Sequence, residues 1–209
     1  MVDRLGAVEP STMTTLGLGL GLTAAVAASL GSWFIALALF MISRIADGID
    51  GELARAEASI TDEGGYADIV ADTAVFAAIP FGAAIGSDLD HIWPIAAALL
   101  GSFYLNTITW SYLAALFEKR AVPADSGGRT DGDGNGNGED ACTSVMMPTG
   151  LIEGSESIVF FAVMLALPRW LDWTMIAMAF LVVVGALMRF GNGHRQLAKA
   201  PGVAVQVHA

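Results

Sequence analysis

Residues 47–72 read DGIDGELARAEASITDEGGYADIVAD and lie where two strongly apolar segments meet. Four aspartates stand in this stretch, at Asp47, Asp50, Asp68 and Asp72. Carboxylates in such a position are costly to keep unless something cationic lies among them. The stretch therefore predicts two membrane helices whose neighbouring ends gather acidic side chains around a cation.

The rest of the chain has the composition of a membrane protein. Its 209 residues are 55% hydrophobic and only 15% charged, which is too apolar for a soluble domain. Six apolar stretches approach the length that crosses a hydrocarbon core. They cover residues 13–30, 33–46, 66–86, 92–117, 150–167 and 171–188. We therefore expect an all-α, polytopic membrane protein with six transmembrane helices.

These boundaries divide the chain into parts. The predicted parts are a juxtamembrane segment at 1–12, helices 1–4 at 13–117, a loop at 118–148, helices 5–6 at 149–189 and a tail at 190–209. The loop contains the acidic, glycine-rich run at 131–140, whose composition cannot bury a core. We expect this loop to be disordered.

Basic residues predict the orientation. With six spans, both termini and the aspartate stretch share one side, and every lysine and arginine except Arg169 falls there. Because Lys and Arg collect at cytoplasmic helix ends, we expect the termini and the aspartates to face the cytoplasm at the cell membrane. The formal net charge of −11 argues against nucleic acid as a partner.

The spacing of the aspartates favours a divalent cation. Residues three or four apart share a helix face, so Asp47 pairs with Asp50, and Asp68 pairs with Asp72. A turn between the two helices would bring the pairs together. Hard carboxylate oxygens, with no Cys or His beside them, suit Mg2+ or Mn2+ better than zinc.

The full pattern resembles the signature of the CDP-alcohol phosphotransferase (CDP-alcohol phosphatidyltransferase) family at every fixed position and spacing. Its fixed positions are Asp47, Asp50, Gly51, Ala54, Arg55, Gly64, Asp68 and Asp72. Members of this family are integral membrane enzymes of phospholipid biosynthesis. The resemblance covers the chain from Pro10 to about Arg195 and also implies a homodimer.

The resemblance implies a reaction and a role for each aspartate. In the family, a CDP-linked lipid gives its phosphatidyl group to an alcohol acceptor, and CMP leaves. Carried onto this chain, Asp47, Asp50 and Asp68 are the principal metal ligands. Asp72 is the general base and also lies near the second ion. The identity of the acceptor stays open, as does the choice between an acyl and an archaeal ether (archaetidyl) lipid.

A CDP-lipid site is implied as well, formed by Ser11, Thr14, Gly51, Ala54, Arg55, Thr61 and Gly64. Gly51 and Ala54 leave space beside helix 2 for the nucleotide, and Arg55 presents a fork of donors to the pyrophosphate. Gly64 begins helix 3, where free N–H groups and the helix dipole favour phosphate. Ser11 departs from the family, since many members have Asn or Asp at this position.

Charged residues at the ends of helices 5 and 6 are candidates for acceptor binding. Glu153 and Glu156 begin helix 5, where the helix dipole alone also favours carboxylates. Arg189 and Arg195 end helix 6, where a positive cytoplasmic side explains them equally well.

Small and polar residues predict contacts between helices. Gly17 and Gly21, four residues apart, permit a close approach of helix 1 to its neighbours. Hydrogen bonds between helices are expected from Asn106, Thr107, Thr109 and Ser111 of helix 4.

Two rival functions also account for the acidic cluster. An intramembrane prenyltransferase likewise arranges aspartates around Mg2+ and a pyrophosphate, but such proteins need more helices than 209 residues provide. They also do not require the element Gly51, Ala54 and Arg55. A non-enzymatic divalent-cation channel or carrier would use the acids as its ion site. Dependence on a cytidine nucleotide separates all three hypotheses.

Overall fold

The computed structural model describes residues 10–56, 61–121 and 154–199. Within these ranges the chain is helical, as predicted. The α-helices are α1 (Pro10–Ser29), α2 (Trp33–Ala56), α3 (Asp62–Ile85), α4 (Ile92–Ala121), α5 (Gly154–Ala166) and α6 (Leu171–Lys199). A short 3-10 helix, Pro168–Trp170, precedes α6. Most of the predicted loop lies outside the described residues.

Several helices extend beyond the bounds that the apolar pattern predicts. The apolar stretch ends at residue 46, but α2 continues to Ala56 because Glu52, Leu53 and Ala54 favour a helix. This extension places Asp47 and Asp50 on regular helix. At the other end of the chain, α6 continues to Lys199 rather than ending at residue 188, so the first part of the predicted tail is helical. Smaller extensions are seen in α3, which begins at Asp62 rather than at residue 66, and in α4, which ends at Ala121 rather than at residue 117.

The described helices are those of a membrane protein. Three segments among them are long and apolar enough to cross a membrane, namely Glu63–Ile85, Ile92–Lys119 and Pro168–Ala198. Shorter apolar helices cover Thr14–Ser29 and Glu156–Ala166. Large apolar side chains such as Phe34, which is 84% exposed, are accommodated by lipid. Six complete spans and cytoplasmic termini stay predictions.

The close packing of α1 against α3 depends on two glycines. A Cβ added at Gly82 would overlap the carbonyl oxygen of Ala25, and one at Gly86 would overlap that of Ala28. Only a residue without a side chain lets the two backbones approach so closely. Since α1 also packs along α2, it connects α2 with α3.

Gly21 confirms the predicted small-residue contact of α1. A Cβ there would meet both methyl groups of Val75 on α3, and it would lie 3.3 Å from Ser43 Oγ on α2. Gly17 lies less tightly, with the carbonyl oxygen of Ser43 at 3.7 Å from its added Cβ. The end of α1 near the aspartates is thus wedged between α2 and α3.

An aromatic cluster lies at the centre of the fold. The ring of Phe161 on α5 makes edge-to-face contacts with Phe40 on α2, Phe76 on α3 and Phe103 on α4. Phe161 and Phe40 are fully buried. Such ring pairs add to the energy of burial and fix the relative rotation of the helices. This cluster ends next to the charged side chains described below.

Candidate active site

The aspartates of the signature lie on α2 and α3, two helices that both pack against α1. Asp47 lies on α2, and Asp68 and Asp72 lie one turn apart on α3. The side chains of Asp47 and Asp72 are 27% and 34% exposed. They are therefore partly shielded from water but open to a small ligand.

The carboxyl group of Asp47 lies next to those of both α3 aspartates. It shares a hydrogen bond with Asp68 and is close enough to Asp72 for the two carboxyl groups to interact electrostatically. Asp47 lies past the apolar part of α2, where burial and then the Asp72 carboxylate raise its pKa to about 6. Three acids in one place thus favour a bound proton or cation.

A guanidinium group lies between these carboxylates. Arg44 Nη1 donates to Asp72 Oδ1 at 2.5 Å and lies 3.7 Å from Asp47 Oδ2. The Arg44 side chain is only 5% exposed. Buried arginines need such partners, because an uncompensated charge in this environment is strongly destabilising. Arg44 is therefore the internal cation of the cluster.

The other contacts of Arg44 hold it in place. Its guanidinium carbon lies 5.8 Å from the ring centre of Phe40 and 5.9 Å from that of Phe76. Its Nη2 donates to Ser43 Oγ at 3.2 Å, and Ser43 Oγ donates to the carbonyl oxygen of Gly17 at 2.7 Å. The buried Nε has no hydrogen-bond partner among the described residues.

Sequence reasoning used Arg44 only as a sign of orientation and missed its place in the site. One signal was present. An arginine inside the apolar stretch 33–46, three residues before Asp47, requires a buried acidic partner. The sequence alone did not show that this partner would be Asp72, which lies on a different helix.

The metal site stays a prediction. Asp47, Asp68 and Asp72 converge, but no group of three or more His, Cys, Asp or Glu among the described residues is arranged to hold a metal ion. Asp72 turns toward Arg44 instead, and the Asp50 side chain lies outside the described residues. The donors still fit a hard divalent cation, because they are carboxylates close enough to raise the pKa of Asp47.

Several predicted CDP-lipid residues belong to described helices but have side chains outside the described set. They are Ser11 on α1 and Gly51, Ala54 and Arg55 on α2. Thr14 lies on α1 within the described set. The roles of all five in binding stay predictions.

Thr61 and Gly64 meet at the start of α3. Thr61 is the N-cap, and its Oγ1 accepts a hydrogen bond from the Gly64 N–H at 3.1 Å. The Gly65 N–H donates to the Thr61 carbonyl oxygen. The Gly64 N–H is therefore used by the cap residue, and the predicted roles of Thr61 and Gly64 in CDP-lipid binding stay predictions.

Arg189, a predicted acceptor-binding residue, lies buried between α6 and α4. Its Nη1 donates to Asn106 Oδ1 at 2.7 Å, which confirms the predicted hydrogen bond between helices from Asn106. Thr109 behaves differently. Its hydroxyl donates to the carbonyl oxygen of Asn106 on the same helix. A threonine hydroxyl can make such a hydrogen bond to the backbone of the preceding turn and then needs no partner on another helix.

A half-open cavity of about 700 Å³ lies beside this pair. Its polar lining includes Thr73, Tyr104, Asn106, Thr107, Ser157 and Arg189. Phe76 also lines the cavity, and its ring centre lies 5.9 Å from the guanidinium carbon of Arg44. The cavity therefore borders the charged cluster at Phe76.

The other described acceptor candidates, Glu156 and Arg195, do not line this cavity. Glu156 is exposed in the first turn of α5, and Arg195 is exposed on α6. Glu153 lies outside the described residues. Among the described candidates, Arg189 is the one that lines the cavity.

Comparison with known sequences identifies relatives of the chain. The family model described as CDP-alcohol phosphatidyltransferase matches residues 7–187. The Escherichia coli K12 inner membrane protein YnjF is 30% identical over 175 residues, which cover 81% of this chain and 75% of that protein. The bifunctional IPC transferase and DIPP synthase of Thermococcus kodakarensis is 36% identical over 121 residues, or 56% of this chain and 28% of that protein.

Comparison with solved structures finds the same fold. The phosphatidylinositol phosphate synthase PgsA1 of Mycobacterium tuberculosis, in complex with manganese and citrate, superposes with a TM-score of 0.66 at 21% identity, covering 100% of this chain and 90% of that one. The same protein with CDP-DAG bound superposes with a TM-score of 0.66 at 20% identity. This match covers 99% of this chain and 94% of that one.

Proposed function

This chain belongs to the CDP-alcohol phosphatidyltransferase family and is thus a membrane enzyme of phospholipid synthesis. We propose that it transfers a phosphatidyl or archaetidyl group from a CDP-linked lipid to an alcohol. The observation that carries the proposal is the convergence of Asp47, Asp68 and Asp72 where α2 and α3 meet. These are signature positions, and the resemblance to the family assigns metal binding and proton transfer to them.

In the proposed reaction, the acceptor hydroxyl oxygen attacks the phosphorus atom that carries the lipid. The bond from this phosphorus to the bridging oxygen breaks, and CMP leaves with the electron pair. Asp72 takes the proton of the hydroxyl, since it is a partly exposed carboxylate at the cluster. Catalysis then depends mainly on placing charges around the phosphate.

We propose that Asp47, Asp50, Asp68 and Asp72 hold Mg2+ or Mn2+. The carboxylate donors and their mutual repulsion support this assignment, and the similar PgsA1 was crystallised with manganese. Bound metal would neutralise the negative charge of the pyrophosphate. The protein's own part is to keep the acids together on two rigid helices.

The nucleotide end of the donor is assigned to α2 and the start of α3. Gly51 and Ala54 would leave room for cytosine or ribose, and Arg55 would bind pyrophosphate oxygens. Ser11, Thr14, Thr61 and Gly64 are kept as further contacts to the CDP group. A structure of the similar PgsA1 with CDP-DAG bound supports a CDP-lipid as the donor.

For the acceptor we propose the cavity that Arg189 and Asn106 line. A buried guanidinium held by an amide favours an acceptor with a phosphate or several hydroxyls. The similar PgsA1 is a phosphatidylinositol phosphate synthase, which supports this class. Glu153, Glu156 and Arg195 stay candidates at the margin of the site. A homodimer with the cluster facing the cytoplasm is part of the proposal.

The test is CMP release by the purified protein in lipid nanodiscs. CDP-lipids with acyl and with ether chains should be supplied with Mg2+ or Mn2+ and with serine, glycerol 3-phosphate, inositol 1-phosphate, ethanolamine or choline. We expect CMP and one new lipid, identified by its mass. Release of CMP from no combination would overturn the proposal, and transport of divalent ions without turnover would favour the channel or carrier.

A further inference from the structure

Arg44 stands where a cation is needed among the acids of the site, and the described function does not use it. It bonds to Asp72 and approaches Asp47 while almost fully buried. We propose that Arg44 is a resident counter-ion that holds Asp72 in the metal-free enzyme and competes with the divalent cation for the Asp47 and Asp72 carboxylates. This inference rests on the metal site proposed above.

The surroundings of Arg44 prevent it from leaving the cluster. Two aromatic rings lie close to the guanidinium, and Ser43, itself anchored on Gly17, accepts from Nη2. The contacts come from α1, α2 and α3 together, so moving the side chain into water would disturb the junction of these helices. These contacts therefore keep the positive charge close to Asp72.

Competition follows from the shared oxygen atoms. The Oδ1 of Asp72 that accepts from Arg44 is one of two oxygens available to a metal. A divalent cation bound to both Asp47 and Asp72 must loosen the guanidinium contacts or accept a nearby positive charge. Either effect weakens metal binding, while the same arginine stabilises the acids when no metal is present.

Arg44 is thus a positioning residue rather than a catalytic one. It acts on the acceptor hydroxyl only through the direction in which it holds the Asp72 carboxylate. Because its Nη1 also lies near Asp47, it links the two helices that carry the acids. The Arg44 guanidinium therefore keeps Asp47 and Asp72 in place before substrate and metal bind.

The experiment measures Mn2+ binding to wild type, Arg44→Gln, Arg44→Lys and Arg169→Gln by electron paramagnetic resonance of free Mn2+. We expect the Kd for Mn2+ to fall about tenfold in Arg44→Gln, since one nearby positive charge is lost. Arg44→Lys keeps the charge and should stay near wild type. Arg169 is exposed next to α6 and far from the acids in sequence, so Arg169→Gln removes an equal charge as the matched control.

Thermal unfolding with and without Mn2+ is a second test of the inference. Metal-free Arg44→Gln should melt below wild type, and saturating Mn2+ should close the gap because the metal replaces the lost counter-ion. An unchanged or higher Kd in Arg44→Gln, or an equal gap with and without Mn2+, would overturn the inference alone. No Mn2+ binding to wild type would overturn the proposed metal site as well.

If Arg44→Gln does not fold, NMR of the wild-type protein tests the competition between Arg44 and the metal. The side-chain 15N resonances of Arg44, assigned by comparison with Arg44→Lys, should shift on addition of Mg2+ because the contact to Asp72 loosens. Resonances that stay unchanged at saturating Mg2+ would show that the two cations do not compete.

Discussion

Arg44 on α2 and Asp72 on α3 form a partly buried ion pair at 2.5 Å, at the position where the family signature places its last aspartate. The pair joins the two helices that carry the acidic cluster. It also means that one carboxylate assigned to metal and proton chemistry already has a cationic partner within the protein.

Replacement of Asp72 by Asn should lower turnover at least about a hundredfold, because the amide cannot accept the proton of the acceptor hydroxyl. Binding of the CDP-lipid should change little, and CMP release against CDP-lipid affinity separates the two effects. Asp88→Asn is the control, since Asp88 is exposed in the loop between α3 and α4. Equal turnover in Asp72→Asn would remove the role assigned to Asp72.

Chelation of divalent cations with EDTA should abolish CMP release, and added Mg2+ or Mn2+ should restore it. The reason is that hard carboxylate oxygens select these ions. Asp47→Asn should need a higher Mg2+ concentration for half-maximal rate, because one ligand is weakened. Full activity in EDTA would contradict a metal-dependent reaction.

Arg189→Gln should raise the KM for a phosphorylated acceptor about tenfold or more, since a charge-assisted hydrogen bond in the cavity is lost. The KM for the CDP-lipid should stay the same. Steady-state kinetics with each substrate varied in turn provide the measurement, with Arg169→Gln as the charge-matched control. A change in the KM of the lipid alone would place Arg189 on the donor side.

Gly82→Ala should destabilise the protein by about 1–3 kcal/mol, because the added methyl group overlaps the backbone of Ala25. Thermal unfolding in detergent measures the effect. Gly101→Ala is the matched control, since a Cβ at Gly101 on α4 meets no atom within 4 Å. The two variants should therefore differ clearly, and equal melting temperatures would show that α1 and α3 do not pack so closely.

Much of the fold could be read from local patterns. Apolar length predicted the helices, and the small residue Gly21 predicted a contact that the structure confirms against Val75. Helix ends were less predictable, because α2 continues through polar residues that favour a helix without being apolar. The cap of α3 is also local, since Thr61 Oγ1 accepts from the Gly64 N–H three residues later.

The residue types of the site could be predicted from the sequence, but the contacts between them could not. The spacing of Asp47, Asp68 and Asp72 is a property of the chain, and helical geometry turns it into shared faces. The pairing of Asn106 with Arg189 brings together residues that are far apart in sequence. No local pattern states which of several polar groups on neighbouring helices will meet.

By itself, the sequence determined a helical membrane protein, its family signature and the kind of chemistry that four carboxylates support. Only the tertiary structure decided that Arg44 pairs with Asp72 and that a cavity borders their cluster. The physical reason is the range of the interactions. Helix formation and facial periodicity act within a few residues, whereas a buried charge selects its partner only after helices distant in the chain have packed.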